Sequence, residues 1–334
     1  MKERLGFAIV GCGRQGVRRI DAISKIPDEG YLACVVDTDK EKAMEIGKQF
    51  NCDYYFELND AITRDDVDCV IVATPNKFHA PITIAALENK KHVLCEKPLA
   101  RNPTEAKEMV NTASKNGVFL KTGSNHRYFP NVLKARELID KNAIGKLLFL
   151  RAWIGHEGER LKDTWFWNKV IAGGGTFLDN GCHLLDITRW FLGEINECVG
   201  YAQTNYWPIE IEDNAFGLFK TREGKIAFIQ ASWTQWFGYM YMEIYGTEGY
   251  IFVDCRFCNK TIYGLKDQLV QVFDFSFQPQ QSYDLEIRHF IKSIKEGKQP
   301  LPSGYDGMRV VQMTHAIYES SKSGSRIKVP PEYE

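Results

Sequence analysis

A chain of 334 residues, 44% apolar and 25% charged, has the make-up of an ordinary soluble globular protein, and its length favours two domains over one core. A net charge of −1 with no polybasic or polyacidic block argues against nucleic acid or an anionic membrane as partner, and no apolar run approaches the roughly 18 residues needed to cross a bilayer. A strand-like run begins within a few residues of the N-terminus and leaves no room for a signal peptide, so the expected location is the cytoplasm.

Up to Lys121 short apolar runs alternate with helix-patterned stretches, the pattern of a parallel sheet wrapped by helices. Strands are expected at Gly6–Val10, Leu32–Val36, Asp53–Tyr55, Cys69–Ala73, His92–Cys95 and Val118–Lys121. Helices fall between them at Gln15–Ile26, Lys40–Phe50, Phe78–Asn89 and Pro103–Asn116. Asp39, Pro81 and the Asn102-Pro103 pair supply start signals for three of these helices.

The first strand runs into Gly11-Cys12-Gly13-Arg14-Gln15-Gly16, which opens a helix. The first glycine allows the tight turn, the second lets backbone approach a pyrophosphate, and the third lets helix and strand pack closely. The helix N-terminus adds unpaired amides and a positive dipole end. Asp37 ends the second strand 21 positions past Gly16, where a carboxylate can grip both ribose hydroxyls. It would repel a 2′-phosphate, so NAD is the expected cofactor; Arg14 and Lys40 partly offset that repulsion and keep NADP as the alternative.

The fourth strand ends in Ala73-Thr74-Pro75-Asn76-Lys77-Phe78-His79 and the fifth in Cys95-Glu96-Lys97-Pro98-Leu99. Both ends lie where open α/β sheets bind ligands, so Thr74, Pro75, Asn76, Glu96 and Lys97 join the expected cofactor site. His79 either touches the cofactor or caps its helix.

After Gly123 the pattern changes. The expected domains are 1–122, a doubly wound dinucleotide-binding domain, and 123–334, an α+β domain for substrate and oligomerisation. The last helix of the second domain is free to pack back on the first. A helix is expected at Pro130–Lys141, a strand at Lys146–Ile154 and a glycine-led helix at Thr176–Leu192. Strand-like runs then follow from Cys198 to Phe275: Asn214–Lys220, Ile226–Thr234, Met240–Tyr245, Tyr250–Val253, Thr261–Gly264 and Val270–Phe273. They make a large, open, mostly antiparallel sheet, and helices at Tyr283–Glu296 and within Tyr305–Ser323 close the chain. The nine cysteines fit a reducing compartment. Cys255 and Cys258 form a CxxC without the second pair a structural zinc needs, so they are read as packing or surface thiols and no metal is expected.

The helix at Thr176–Leu192 carries Asp179, His183 and Asp186 at i, i+4 and i+7, a spacing that shares one α-helical face. Alone this is either a wet helix face with a stray histidine or a proton-handling site. Asp186 is read as a support or as an i+3 partner of Arg189.

Five motifs in order, namely the glycine turn, Ala-Thr-Pro-Asn with His79, Glu-Lys-Pro, Asn125-His126-Arg127-Tyr128 and the Gly-Gly-Gly-Thr-Phe-Leu-Asp-Asn-Gly-Cys-His helix, resemble the glucose-fructose oxidoreductase, inositol dehydrogenase and rhizopine catabolism family, Gfo/Idh/MocA. The resemblance implies NAD(P)-linked oxidation of a ring hydroxyl on a sugar, cyclitol or nucleotide sugar. It makes Lys97 the catalytic lysine, with Asp179 and His183 from the helix, and implies that the Lys97–Pro98 bond is often cis. It also implies a homodimer or homotetramer built through the second domain's sheet.

In that chemistry His183 is the general base, Lys97 donates to the reacting oxygen, and Asp179 holds the same or a neighbouring hydroxyl. Lys97 and His183 are expected to meet at the nicotinamide. For the substrate, His156 and Trp165 are preferred among Trp153, His156, Trp165, Trp167, Trp236 and Tyr239. Arg127 either binds a substrate anion or ties the domains together. Two other readings remain at this stage: a glycosidase with transient redox steps on bound NAD, and a non-catalytic cofactor-sensing regulator.

Overall fold

The computed structural model describes residues 2–329 and resolves into two compact units. One runs to Asn125 and takes in Gln278–Met308; the other comprises His126–Phe277 and the chain from Arg309 onward.

In the first unit β1 (Leu5–Val10), β2 (Gly30–Val36), β3 (Asp53–Tyr55), β4 (Cys69–Val72), β5 (His92–Glu96) and β6 (Leu120–Gly123) form a wholly parallel sheet in the order β3-β2-β1-β4-β5-β6. The connecting helices are α1 (Arg14–Ser24), α2 (Lys40–Phe50), α3 (Leu58–Ile62), α4 (His79–Glu88) and α5 (Pro103–Asn116). Every residue of β1 and β4 is buried, which is why both read as unbroken apolar runs. The strand order reverses between β1 and β4, so the carboxyl ends of these two strands flank the ligand crevice of such a sheet. The expected doubly wound fold is present, and α3 is an addition to it. β6 begins two residues later than expected: Gly117 ends α5 at φ +66°, and Val118 and Phe119 are used in leaving that cap.

The second unit holds β7 (Leu147–Gly155), β8 (Ile195–Gln203), β9 (Asn214–Thr221), β10 (Ile226–Ser232), β11 (Met240–Gly246), β12 (Gly249–Asp254), β13 (Lys260–Leu265), β14 (Gln268–Asp274) and β15 (Ile327–Lys328). They form one sheet ordered β14-β13-β12-β11-β7-β10-β9-β8-β15, antiparallel except for the β7–β10 pair. Its inward residues, such as Leu150, Phe219, Ile229 and Ile244, share a core with α6 (Pro130–Asp140) and α8 (Cys182–Leu192). A short helix, α7 (Lys169–Ala172), leads into the glycine turn.

Two helices close the chain, α9 (Pro279–Lys295) and α10 (Gly304–Ser323). Sequence order assigns α9 to the second domain, whereas its packing belongs to the first unit. Tyr283, Ile287, Phe290 and Ile291 form a helical stripe that shares a core with Leu5, Phe7 and Ile9 of β1 and Ile20 and Ile23 of α1.

Candidate active site

The glycine turn is built as its spacing requires. Gly11 has φ +100°, and a Cβ there would lie 2.6 Å from the Ala73 carbonyl oxygen. A Cβ on Gly16 would lie 2.0 Å from the Gly11 carbonyl oxygen, so helix and turn touch backbone to backbone. A Cβ on Gly13 would meet nothing within 4 Å, which leaves open space beside the start of α1. No side chain caps that helix, so its first amides keep the anion-binding character of a helix N-terminus. At the end of β4 the Thr74 hydroxyl is buried with no hydrogen-bond partner among the described residues. An open cradle, uncapped amides and an orphaned hydroxyl at the sheet's reversal point suit a dinucleotide. The Asp37 carboxylate accepts from Cys12 N at 2.8 Å and from Asp39 N at 3.0 Å, which fixes it beside the turn with lone pairs to spare.

The loops after β4 and β5 are tied together by His79. Its Nδ1 lies 2.8 Å from the Pro98 carbonyl and its Nε2 2.9 Å from the Thr74 carbonyl. Burial, with the Lys97 charge nearby, pushes this imidazole below its ordinary value, so the neutral ring donates to one carbonyl and rests against the other. Both nitrogens face backbone carbonyls and no side chain caps α4, so the imidazole braces these two loops and does not cap the helix.

Glu96 turns inward. Its carboxylate takes Arg19 at 2.7 Å, Arg19 reaches Glu286 of α9 at 2.7 Å, and Lys121 of β6 lies 3.1 Å from Glu286. Burial pushes the Glu286 carboxyl up, but the two cations outweigh it and hold it below the usual range. For Glu96, with Arg19 as its cation, burial wins and the shift is upward. The Glu96 carboxylate, expected at the cofactor, is engaged in this buried four-charge cluster with Arg19, Glu286 and Lys121. Lys97 follows, half-buried, and the Lys97–Pro98 peptide is cis.

In the second unit the glycine run is clamped by a residue that its own sequence does not point to. The buried Glu212 carboxylate accepts from Gly175 N at 2.8 Å, Phe177 N at 2.9 Å and the Tyr318 hydroxyl at 2.7 Å. A Cβ on Gly175 would sit 1.9 Å from the Glu212 carbonyl, so this approach requires glycine. Phe177–Gly181 then winds as a single π turn before α8 begins at Cys182. Asp179 therefore lies on a π turn and His183 on the regular helix that follows, where one α-helix was expected; such turns are common at functional sites. Both are buried.

Arg189 takes Glu194 at 2.8 Å, and Asp186 is paired far from its own helix. Its partner is Arg127, with Nε to Oδ2 at 2.7 Å and the terminal nitrogen to Oδ1 at 2.6 Å. The Arg127 guanidinium is thus buried against a carboxylate of its own unit.

The imidazole of His126, from the same Asn-His-Arg-Tyr motif, stacks on His183 with ring centroids 3.6 Å apart. Its Nε2 lies 2.8 Å from the Tyr239 hydroxyl. His156 is buried with Nδ1 2.7 Å from the Glu157 carbonyl; burial pushes it down, and the Asp179 charge pulls the other way. Trp165 lies half-buried on a separate turn, Trp165–Trp167, stacked on Phe166 at 3.9 Å. Cys255 is buried beside Asn131 and Cys258 is half-buried, both as thiols. Sequence reasoning missed Glu212, and it quoted His126 without giving it a task.

Residues 5–124 match the model of the oxidoreductase family with an NAD-binding Rossmann fold, and residues 132–252 match the GFO/IDH/MocA C-terminal domain. The chain belongs to the Gfo/Idh/MocA family. It is an NAD-binding oxidoreductase, as the motifs implied. It is 26% identical to scyllo-inositol 2-dehydrogenase (NAD(+)) of Bacillus subtilis strain 168, over 98% of this chain and 97% of the relative. It is 31% identical to 2,7-anhydro-N-acetylneuraminate hydratase of Mediterraneibacter gnavus over 78% of this chain and 70% of that one. The solved structure of levoglucosan dehydrogenase in complex with NADH and levoglucosan superposes with a TM-score of 0.92 at 25% identity, covering 98% of this chain and 99% of the other. This Gfo/Idh/MocA member thus keeps Lys97, Asp179 and His183 in the motifs that carry the family resemblance.

Proposed function

We propose that this chain oxidises a ring hydroxyl of a sugar, cyclitol or nucleotide sugar, and reduces the matching ketone in reverse. The observation that carries the reading is the buried Asp179–His183 segment, braced by Glu212, in a chain whose relatives include an inositol dehydrogenase and a levoglucosan dehydrogenase. Bound NAD would supply the hydride acceptor, held by the Gly11–Gly16 turn, Asp37 and the Thr74 loop. An imidazole, with an ordinary pKa of about 6.5, can take a hydroxyl proton and return it at neutral pH, and His183 is given that task. Lys97 donates to the reacting oxygen and stabilises its developing negative charge. Asp179 accepts from a substrate hydroxyl.

The test is NADH formation, followed by absorbance together with product analysis, across inositols, levoglucosan, free hexoses and UDP-sugars. His183→Ala is expected to lower turnover about 10²–10⁴-fold while NAD affinity stays near wild type. Unchanged turnover would remove His183 from the base role. Substrate conversion without accumulating NADH would replace net dehydrogenation by transient redox on bound NAD.

The outer face of the nine-stranded sheet supports a further part of the reading, a second copy as partner. Outward residues Val199, Tyr201, Phe216, Leu218 and Phe228 are exposed on three adjacent strands, and Val199, Leu218 and Phe228 sit in register across β8, β9 and β10. So broad an apolar face is a cost in water and a gain when covered by its own equivalent. Leu218→Lys should shift the mass measured by light scattering toward one chain; an unchanged assembly would exclude this face.

A further inference from the structure

We propose that His126 is a positioning residue for His183, holding the imidazole plane by face-on stacking while Tyr239 anchors His126 in turn. The inference rests on the reading of His183 as the proton-transfer group and adds how that ring is kept in place.

His183 sits in the first turn of α8, directly after the π turn, so its backbone is well defined. Its ring rotation is not defined by that, because the final torsion of a histidine is broad and roughly two-fold. A proton acceptor needs its nitrogen lone pair aimed along one line, and a misplacement of about 1 Å can cost about 10²-fold in rate. Something must fix the plane. The His126 ring lies 3.6 Å from it, centroid to centroid, at an interplanar angle of 27°. A face-on neighbour blocks tilting without occupying the directions in the ring plane along which the nitrogens point.

The brace is itself braced. Phe129 stacks on His126 with centroids 4.3 Å apart, and the Tyr239 hydroxyl lies 2.8 Å from Nε2. That hydrogen bond explains why an imidazole serves better than a phenyl here: only a ring nitrogen gives Tyr239 a point to hold. Both histidines are buried, and Arg127 beside His126 in the chain has its charge matched by Asp186. Two imidazolium rings in face contact would repel, whereas a proton taken by His183 alone leaves a neutral ring against it. A neutral aromatic face against the new cation is an attractive contact.

The experiment compares His126→Leu, His126→Phe, Tyr239→Phe and His183→Ala. It uses the panel polyol that gives the fastest NADH formation, with rates expressed per NAD-binding site so that a loss of folded protein does not enter. His126→Leu is expected to lower kcat about 30- to 100-fold with the KM for NAD and polyol within about threefold. His126→Phe, which keeps a flat ring, should recover at least a third of that loss on a logarithmic scale, and Tyr239→Phe should lower kcat several-fold. Wild-type kcat in His126→Leu, or His126→Phe as slow as His126→Leu, overturns the proposal. A raised polyol KM with unchanged kcat also overturns it, because it would make His126 a substrate contact. Should His126→Leu fail to fold, Tyr239→Phe decides: a several-fold fall in kcat supports the brace and a wild-type kcat ends it. His183→Ala keeps the two readings apart: full turnover there defeats the base assignment, whereas a dead His183→Ala beside an unaffected His126→Leu defeats only the brace.

Discussion

The Arg127 guanidinium closes on the Asp186 carboxylate through two parallel hydrogen bonds of 2.7 and 2.6 Å, with both side chains buried. Such a pair is held less by its net attraction than by what its breaking leaves behind, an uncompensated buried charge. Arg127→Leu and Asp186→Leu should each destabilise by about 3–5 kcal/mol in urea unfolding, and the double variant by less than either. Additive losses would show that the pair acts as two separate contacts.

The Glu212 clamp makes a prediction in stability, pH and rate together. Its carboxylate serves three donors, and a glutamine in its place must turn an NH₂ toward at least one backbone N–H. Glu212→Gln should cost about 1–3 kcal/mol and lower turnover, because the amide it abandons opens the π turn carrying Asp179. Burial raises the carboxyl of Glu212 above its ordinary 4.5, with its hydrogen bonds opposing. The folded state therefore holds the proton more tightly, and stability falls as pH rises from about 4.5 toward the raised value. Melting of wild type and variant across that range should show wild type losing ground as pH rises; a constant difference would mean that Glu212 does not titrate there.

Much of the first unit could be read in advance because parallel strands covered on both faces, such as β1 and β4, are unbroken apolar runs, and because the glycine turn has steric reasons at each position. β8 was not legible, for a reason its neighbours show. Its inward residues include Cys198 and Gly200, and a Cβ on Gly200 would lie 2.9 Å from Ile317 of α10, while Val199 and Tyr201 face outward. The apolar pattern of this strand therefore points away from the core that defines it. The site divides in the same way. Lys97, Asp179 and His183 stand out in sequence by motif, whereas Glu212, His126, Arg19 and Glu286 acquire their tasks only through contacts made by distant chain. No local period distinguishes a π turn from an α turn, and none assigns α9 to a sheet completed more than 150 residues earlier.

Asp37 sets cofactor choice while also supporting the turn, so the informative substitution is asparagine, which can still accept from Cys12 N. Loss of the charge should weaken NAD by roughly ten- to hundredfold, the range expected for hydrogen bonds of about 1.5–3 kcal/mol to a charged group. NADP should weaken less or tighten, since the repulsion of its 2′-phosphate is removed. Titration of both nucleotides by fluorescence would check this, and an unaltered ratio of dissociation constants would refute the ribose assignment.

His289 of α9 makes acid sensitivity a local property of the first unit. Burial, and then the Lys121 charge, lower its pKa from 6.5 to about 4, while Glu286 pulls the other way. Between those values the folded chain keeps the ring neutral and the unfolded chain binds a proton, so unfolding gains from each fall in pH. The stability at stake is complete above about pH 6.5 and is lost progressively toward pH 4. His289→Gln has no proton to bind and should flatten that part of the profile. In paired urea titrations at pH 7.5 and pH 5 the variant should therefore lose less stability than wild type on acidification. Equal losses would show that the acid response arises at other groups and that His289 is not held neutral by Lys121 and its buried surroundings.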